Sequence, residues 1–320
     1  MQNKNNNYTI INGAIQSTTE SEPTTIKAHK IVTYNLNDNK NYIPNILKDS
    51  VNKTIITRDK SIVIKNFNEL GEPLDLTDKS ITLVFVFDTR IKHTVLSALN
   101  CMAKVKFNNV LFFTSKVDDK ELDIIRDYVQ IIKVDAINTM YKYVETLFNV
   151  VPDYLNTKYA LVCQYDGTII SSKAWNDDFL NYDYIGAPWK KAFQGEESLK
   201  YYPKYSVGNG GASLRSTKLM KLCKDDELIK NALPKDKRQE DAFLCKNSYI
   251  RKHLEEDCGI KYAPIELAIQ FGYECDVEGY THDYNRLFTM HSIHKDFVIK
   301  LLDKMNVDEY LNCVKQQYSK

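Results

Sequence analysis

From residue 81 onward the chain alternates between short apolar runs and stretches of helical period. Residues 81–87 are a continuous apolar run, the pattern of a strand buried on both faces, and the run stops at Asp88-Thr89-Arg90. Over 93–105, Val95, Leu96, Leu99, Met102 and Val105 fall on one helical face. Residues 109–114 read as a second strand, 120–128 as a short helix and 129–134 as a third strand. Residues 139–148 read as a helix, with Tyr143, Leu147 and Val150 spaced for packing, and 159–165 as a fourth strand. Strand and helix in this alternation predict right-handed crossovers and an α/β fold with a mostly parallel sheet. Ligands on such sheets bind beyond the carboxyl ends of the strands, which puts Asp88, Thr89, Arg90 and Asp166 along one edge.

After Asp166 the pattern changes. Residues 175–180 suit a short amphipathic turn, and 190–206 a loop rich in Lys and Tyr. A helix is expected over 217–223 and one longer helix over 240–256, where Phe243, Leu244, Ile250 and Leu254 recur near helical spacing and Gly259 follows the end. Residues 262–271 return to the core, and 295–314 make one or two terminal helices. Ahead of residue 81, the first 28 residues are polar. The β-like runs 54–57 and 61–64 suggest a hairpin turning through Arg58-Asp59-Lys60. Gly71-Glu72-Pro73 is a turn signal and a boundary. The expected organisation is therefore an arm and small β-containing appendage over 1–74 and a main α/β domain over 75–320, with no internal repeat.

Composition narrows the function classes. With 43 basic and 42 acidic residues the net charge is +1, which gives no electrostatic reason to expect nucleic-acid binding. Seven cysteines, widely spaced and without a CxxC, argue against a zinc ribbon or a disulfide framework and for reduced thiols. The start lacks an apolar signal core, and the longest apolar run, near 83–87, is far too short to span a membrane. A cytoplasmic protein is the expectation.

The chemistry concentrates between residues 158 and 216. A buried strand ends in the turn Gln164-Tyr165-Asp166-Gly167. Then come Tyr184-Ile185-Gly186-Ala187-Pro188-Trp189 and Gly208-Asn209-Gly210-Gly211-Ala212-Ser213-Leu214-Arg215. A lone carboxylate after a buried strand suits a metal or a sugar hydroxyl. Glycines without side chains let backbone approach a ligand and tolerate positive φ. Gln239-Glu240-Asp241 opens a helix, where carboxylates also serve the helix dipole.

These three ordered motifs resemble a family of glycosyltransferase-like proteins of giant viruses and microbes, over roughly residues 80–295. That family in turn resembles the GT-A glycosyltransferases. The resemblance implies a Rossmann-like GT-A fold and transfer of a sugar from a nucleotide-sugar, a UDP-sugar above all, to a glycan or protein hydroxyl acceptor. It implies a divalent cation, Mn2+ or Mg2+, held by the acidic turn. Here Gln164 stands where the first carboxylate of that turn would be, so the carry-over rests on Asp166. His291 matches the histidine that completes the metal shell, with His294 second. Thr89 and Arg90 would contact the nucleotide. Gln164, Tyr165, Gly186, Trp189, Asn209, Gly210 and Gly211 would surround the donor, and Trp175 would pack in the core. Asp241, with Glu240 beside it, matches the base of inverting enzymes. The other function class is a GT-A fold that binds glycans or nucleotides without catalysis.

Overall fold

A computed structural model of the chain describes residues 61–194, 196–233, 239–291 and 295–318, together with three short strands nearer the start. Those strands, Tyr8–Ile11, Ala14–Ser17 and Thr33–Tyr34, form a small antiparallel sheet within a unit that ends at Ile62. The second unit runs from Val63 to Lys320. The expected strand at 54–57 and its hairpin turn lie outside the described residues. Residues 61–68 are helical, not extended. Val63 and Phe67, four apart, are both buried, so the helical spacing of these two anchors prevails over the β-branched run around them.

The larger unit is built on a six-stranded sheet. Its strands are β1 (Ile81–Val86), β2 (Asn109–Thr114), β3 (Gln130–Lys133), β4 (Tyr159–Cys163), β6 (Tyr184–Gly186) and β7 (Ala212–Ser216). Between β4 and β6, the short β5 (Gly167–Ile169) leaves to join a second sheet with β8 (Gly272–Tyr273) and β9 (Thr289–His291). The main sheet is ordered β6-β7-β4-β1-β2-β3. β3, β2, β1 and β4 are parallel, and β7 runs antiparallel to both β4 and β6.

Side-chain period explains the layers. On β1, Ile81, Leu83 and Phe85 face one core and Val84 and Val86 the other; on β4, Leu161 and Cys163 divide from Ala160 and Val162 in the same way. A strand read as uniformly apolar is thus one that feeds two cores. The first core packs under α1 (Ile91–Lys104) and two C-terminal helices, Lys295–Leu302 and Val307–Tyr318. The second packs under Met140–Glu145, Thr217–Asp225 and Glu240–Cys245. The result is a mixed α/β fold with a central sheet flanked by helices.

Several predicted elements differ in detail. The helix expected at 120–128 is two 3-10 turns, Lys120–Ile124 and Arg126–Tyr128, the first capped by Asp119. The helix at 139–148 widens into a π-turn over Thr146–Val150. The long helix expected at 240–256 is broken. Asn247 accepts the N–H groups of Tyr249 and Ile250, which ends one helix and starts Ser248–Lys252, continued by a π-turn over His253–Asp257. The apolar spacing survives the break because both pieces bury the same side.

Candidate functional site

β1, β2 and β3 progress outward to one side of the sheet, while β4 inserts on the other side of β1. The strand order therefore reverses between β1 and β4. Such a switch point opens a crevice at the carboxyl ends of the strands. A cleft of about 410 Å³ lies there, lined from β1 by Phe85 to Thr89 and from β4 by Cys163 to Asp166.

Strand register fills this cleft with chemistry. The Gln164 N–H donates to the Gly211 carbonyl at 2.9 Å, carrying the β4–β7 ladder into the acidic turn. The turn closes with Gly167 N–H on the Gln164 carbonyl at 3.0 Å. β5 then pairs with β9 so that Gly167 stands opposite His291. Asp166, one residue earlier, consequently meets His291: Oδ1 lies 3.3 Å from Nε2. This contact is within ion-pair reach but lacks hydrogen-bond geometry, so Asp166 Oδ1 is buried with no hydrogen-bond partner. On the far side of the ring, Asn209 Nδ2 is 3.0 Å and Glu274 Oε1 3.7 Å from Nδ1. Burial alone would push the His291 imidazole down, but the Asp166 and Glu274 carboxylates outweigh it and carry its pKa up to about 10.

The glycine cluster also has a packing role in this arrangement. Neither Gly210 nor Gly211 has a positive φ. A Cβ on Gly211 would fall 2.1 Å from His291 Cδ2, and one on Gly210 would fall 2.4 Å from Glu240 Oε1. The close approach is between the backbone and the protein's own site side chains. Gly186 is likewise needed for packing, since a Cβ there would meet the Asn209 carbonyl at 2.1 Å.

Asp241 also lines the cleft, from the start of Glu240–Cys245. Its Oδ2 accepts the Gly210 N–H at 2.8 Å and its Oδ1 accepts the Ala242 N–H at 2.6 Å. Burial, then the neighbouring Glu240 charge, push the carboxyl up to about 7 despite those two donors. Glu240 is committed elsewhere: Oε1 pairs with the fully buried Arg215 guanidinium at 2.9 Å.

The cleft gathers ten of the sequence-derived residues: Thr89, Gln164, Tyr165, Asp166, Trp189, Asn209, Gly211, Glu240, Asp241 and His291. Gly186 and Gly210 sit behind its wall. Arg90 does not line it; with φ 56° it caps α1, and its guanidinium carbon is 6.0 Å from the Tyr165 ring centre. Gln164 donates to the Tyr143 hydroxyl at 3.1 Å. Asp88 lines the cleft but is saturated, accepting from Thr114 Oγ1, from both the N–H and Oγ of Ser115, and from the Ile137 N–H. Its role is to tie the ends of β1, β2 and the loop after β3. Asp183 accepts from Ser216 Oγ and the Lys261 N–H, away from the cleft. Trp175 packs edge-on against Phe179 and Phe288, as expected of a core side chain. His294 lies outside the described residues. Glu274 went unnoticed in the sequence, where Tyr143 reads only as a packing residue: neither belongs to a motif, and β8, which leads into Glu274, is two residues long.

The model of a family described as "Protein of unknown function (DUF5672)" matches residues 129–293, just over half of the chain. The chain belongs to the DUF5672 family. The matched span of this DUF5672 protein runs from the residue before β3 to just past His291, so it includes Asp166, the glycine cluster, Asp241 and Glu274. No curated protein matches the sequence. Among solved structures, an active-site mutant of LgtC is similar at a TM-score of 0.42 and 13% identity, over 73% of this chain and 95% of LgtC. Apo GlyE of Streptococcus pneumoniae is similar at 0.41 and 11%, over 73% of this chain and 62% of GlyE. A fragment of S. aureus TarS in complex with UDP is similar at 0.32 and 10%, over 74% and 70%.

Proposed function

We propose that this protein is a glycosyltransferase that moves a sugar from a nucleotide-sugar, a UDP-sugar in the first instance, to a hydroxyl acceptor with the help of a divalent cation. The observation that carries the reading is the charge of the cleft. Asp88, Asp166, Glu240, Asp241 and Glu274 all line it; with Glu240 paired to Arg215 and His291 the one basic group of the lining among the described residues, Asp88, Asp166 and Glu274 still leave the cleft net negative. An anionic diphosphate would be repelled from such a cleft unless a cation entered with it.

The residues fit a cation. Asp166 Oδ1 is a buried oxygen without a hydrogen-bond partner, and His291 Nε2 stands 3.3 Å from it. Two neighbouring ligands of an octahedral ion with bonds of about 2.1 Å are about 3 Å apart. Asp166 and His291 Nε2 would hold the ion once Nε2 has released its proton to solvent, with Nδ1–H left facing Glu274 Oε1, 3.7 Å away. Bound there, Mn2+ or Mg2+ would supply Lewis-acid charge to the departing diphosphate.

The chain's own groups would do the rest. Thr89 and Tyr165 line the cleft and would meet the nucleoside. Trp189 and Asn209, also in the lining, would meet the sugar. Asp241 would take the proton of the acceptor hydroxyl. Each of its oxygens accepts one backbone N–H and retains a second lone-pair site. A carboxyl pushed up to about 7 is well matched to accept a proton near neutral pH. The buried Arg215–Glu240 pair fixes the start of that helix and so aims Asp241.

The test is a panel of nucleotide-sugars incubated with the full chain, with and without Mn2+, scored for release of the nucleoside diphosphate and for transfer to glycan acceptors. Cation-dependent turnover of one donor supports the reading. Binding without turnover of any donor would leave a glycan- or nucleotide-binding role instead.

A further inference from the structure

A second cluster of ligating side chains lies outside the cleft. Asp226 ends one helix, Thr217–Asp225, and caps the next, Glu227–Ala232. Its Oδ1 accepts the Ile229 N–H at 3.0 Å, which leaves Oδ2 free to face away from the helix. His253 and Cys258 come from the π-turn that ends the segment begun at Asn247. In that wide turn the Cys258 N–H bonds the His253 carbonyl at 3.1 Å, five residues back, so the two side chains stand one above the other. His253 Nε2 lies 2.9 Å from Asp226 Oδ2, Cys258 Sγ lies 3.5 Å from His253 Nε2, and Sγ lies 4.0 Å from Asp226 Oδ2.

We propose that Asp226, His253 and Cys258 form a binding site for a zinc ion, with its fourth position open to water. Tetrahedral zinc with bonds of about 2.1 Å to N and O and about 2.3 Å to S sets its ligands about 3.4–3.6 Å apart. The three observed edges bracket those values, and the His–Asp edge need open by only about half an ångström. The donor set of one thiolate, one imidazole and one carboxylate suits zinc far better than Mg2+ or Ca2+. The other ring nitrogen of His253 already has the support found behind metal-bound imidazoles: Nδ1 is 2.9 Å from Asp257 Oδ2. The Asp226 and His253 side chains are about one-sixth exposed, so the ion has a route in. On binding, the Cys258 thiol and His253 Nε2 give up their protons to solvent, and Nδ1–H stays on Asp257. A His–Asp hydrogen bond alone accounts for two of the three groups and leaves the position of the thiol unexplained.

The experiment strips the full chain with a chelator and titrates it with Co2+ alone, as a spectroscopic stand-in for zinc. We expect one equivalent to produce a thiolate-to-cobalt band in the near ultraviolet with tetrahedral visible bands, and Zn2+ to bleach both. Cys258→Ser should abolish the thiolate band and His253→Gln should remove the tetrahedral visible bands. Asp257→Asn should keep the spectrum but weaken affinity about 10- to 100-fold. Asp166→Asn, in the cleft, should leave the band intact. Absence of a thiolate band in the wild type, or its persistence in Cys258→Ser, would overturn the proposal. So would its loss in Asp166→Asn.

Discussion

Replacing Asp241 by Asn separates chemistry from architecture most cleanly. Both Asp241 oxygens take a backbone N–H, and the side chain is buried beside Glu240. Burial, with the Glu240 charge, moves the carboxyl from 3.8 to about 7. At about 1.4 kcal/mol per pH unit, that displacement is on the order of 4 kcal/mol. Below about pH 4 the group is protonated in both the folded and the unfolded chain. As pH rises from about 4 to 7 the unfolded chain releases the proton while the folded chain keeps it. The stability contributed by this group is therefore present at low pH, falls through that window and levels off above it. Asn does not titrate. It keeps one acceptor oxygen and turns an NH2 toward the other backbone donor, a loss of about 1 kcal/mol. The variant should thus be the less stable protein near pH 4 and at least as stable as wild type near pH 8, by denaturant titration. If Asp241 is the base, turnover should drop about 100- to 10,000-fold with donor affinity nearly unchanged. The wild-type rate should rise through about pH 7 and the residual rate of the variant should not. Parallel stability curves would refute the elevated carboxyl. A folded variant with wild-type turnover would refute the base.

Three further substitutions follow from distances. Gly211→Ala would put a Cβ 2.1 Å from His291 Cδ2, so the ring must move by about 1 Å or more; we expect a loss of roughly 1–3 kcal/mol in stability and weaker Mn2+-dependent UDP binding, measured by melting and calorimetry. Arg215→Met would leave Glu240 buried without its partner and should cost about 3–5 kcal/mol, with part restored by adding Glu240→Gln; an unchanged melting temperature would contradict the pairing. Leu83→Ala, at a fully buried position of β1, should cost about 2–5 kcal/mol without altering the pH dependence of Asp241.

Much of the fold was legible because its signals are local. The run ending at Asp88 and the strand ending at the acidic turn have the period and length of buried parallel strands, and the structure places both at the centre of the sheet. What sequence spacing could not supply was the pairing of β5 with β9. Only that register brings His291, 125 residues downstream, beside Asp166. Glu274 was hidden for the same reason, since nothing local marks a carboxylate whose partners arrive through tertiary packing. The glycine cluster was recognised, but its packing role was not legible. Its missing Cβ atoms make room for His291 and Glu240, groups contributed by other elements. The break at Asn247 was masked because apolar spacing continues across it, while the cap that interrupts the helix is a side-chain property. At 61–64 a β-branched run suggested a strand, although Val63 and Phe67 carry the helical spacing that packing uses.

The central claim is that Asp166 and His291 hold a divalent cation that admits a nucleoside diphosphate to an acidic cleft. The measurement that tests it most directly is calorimetry of UDP binding to the wild-type chain and to Asp166→Asn, each with and without Mn2+. The account predicts binding to wild type that requires Mn2+ and is lost in Asp166→Asn while the variant remains folded. UDP binding of equal strength without Mn2+, or Mn2+-dependent binding that survives in Asp166→Asn, would contradict it.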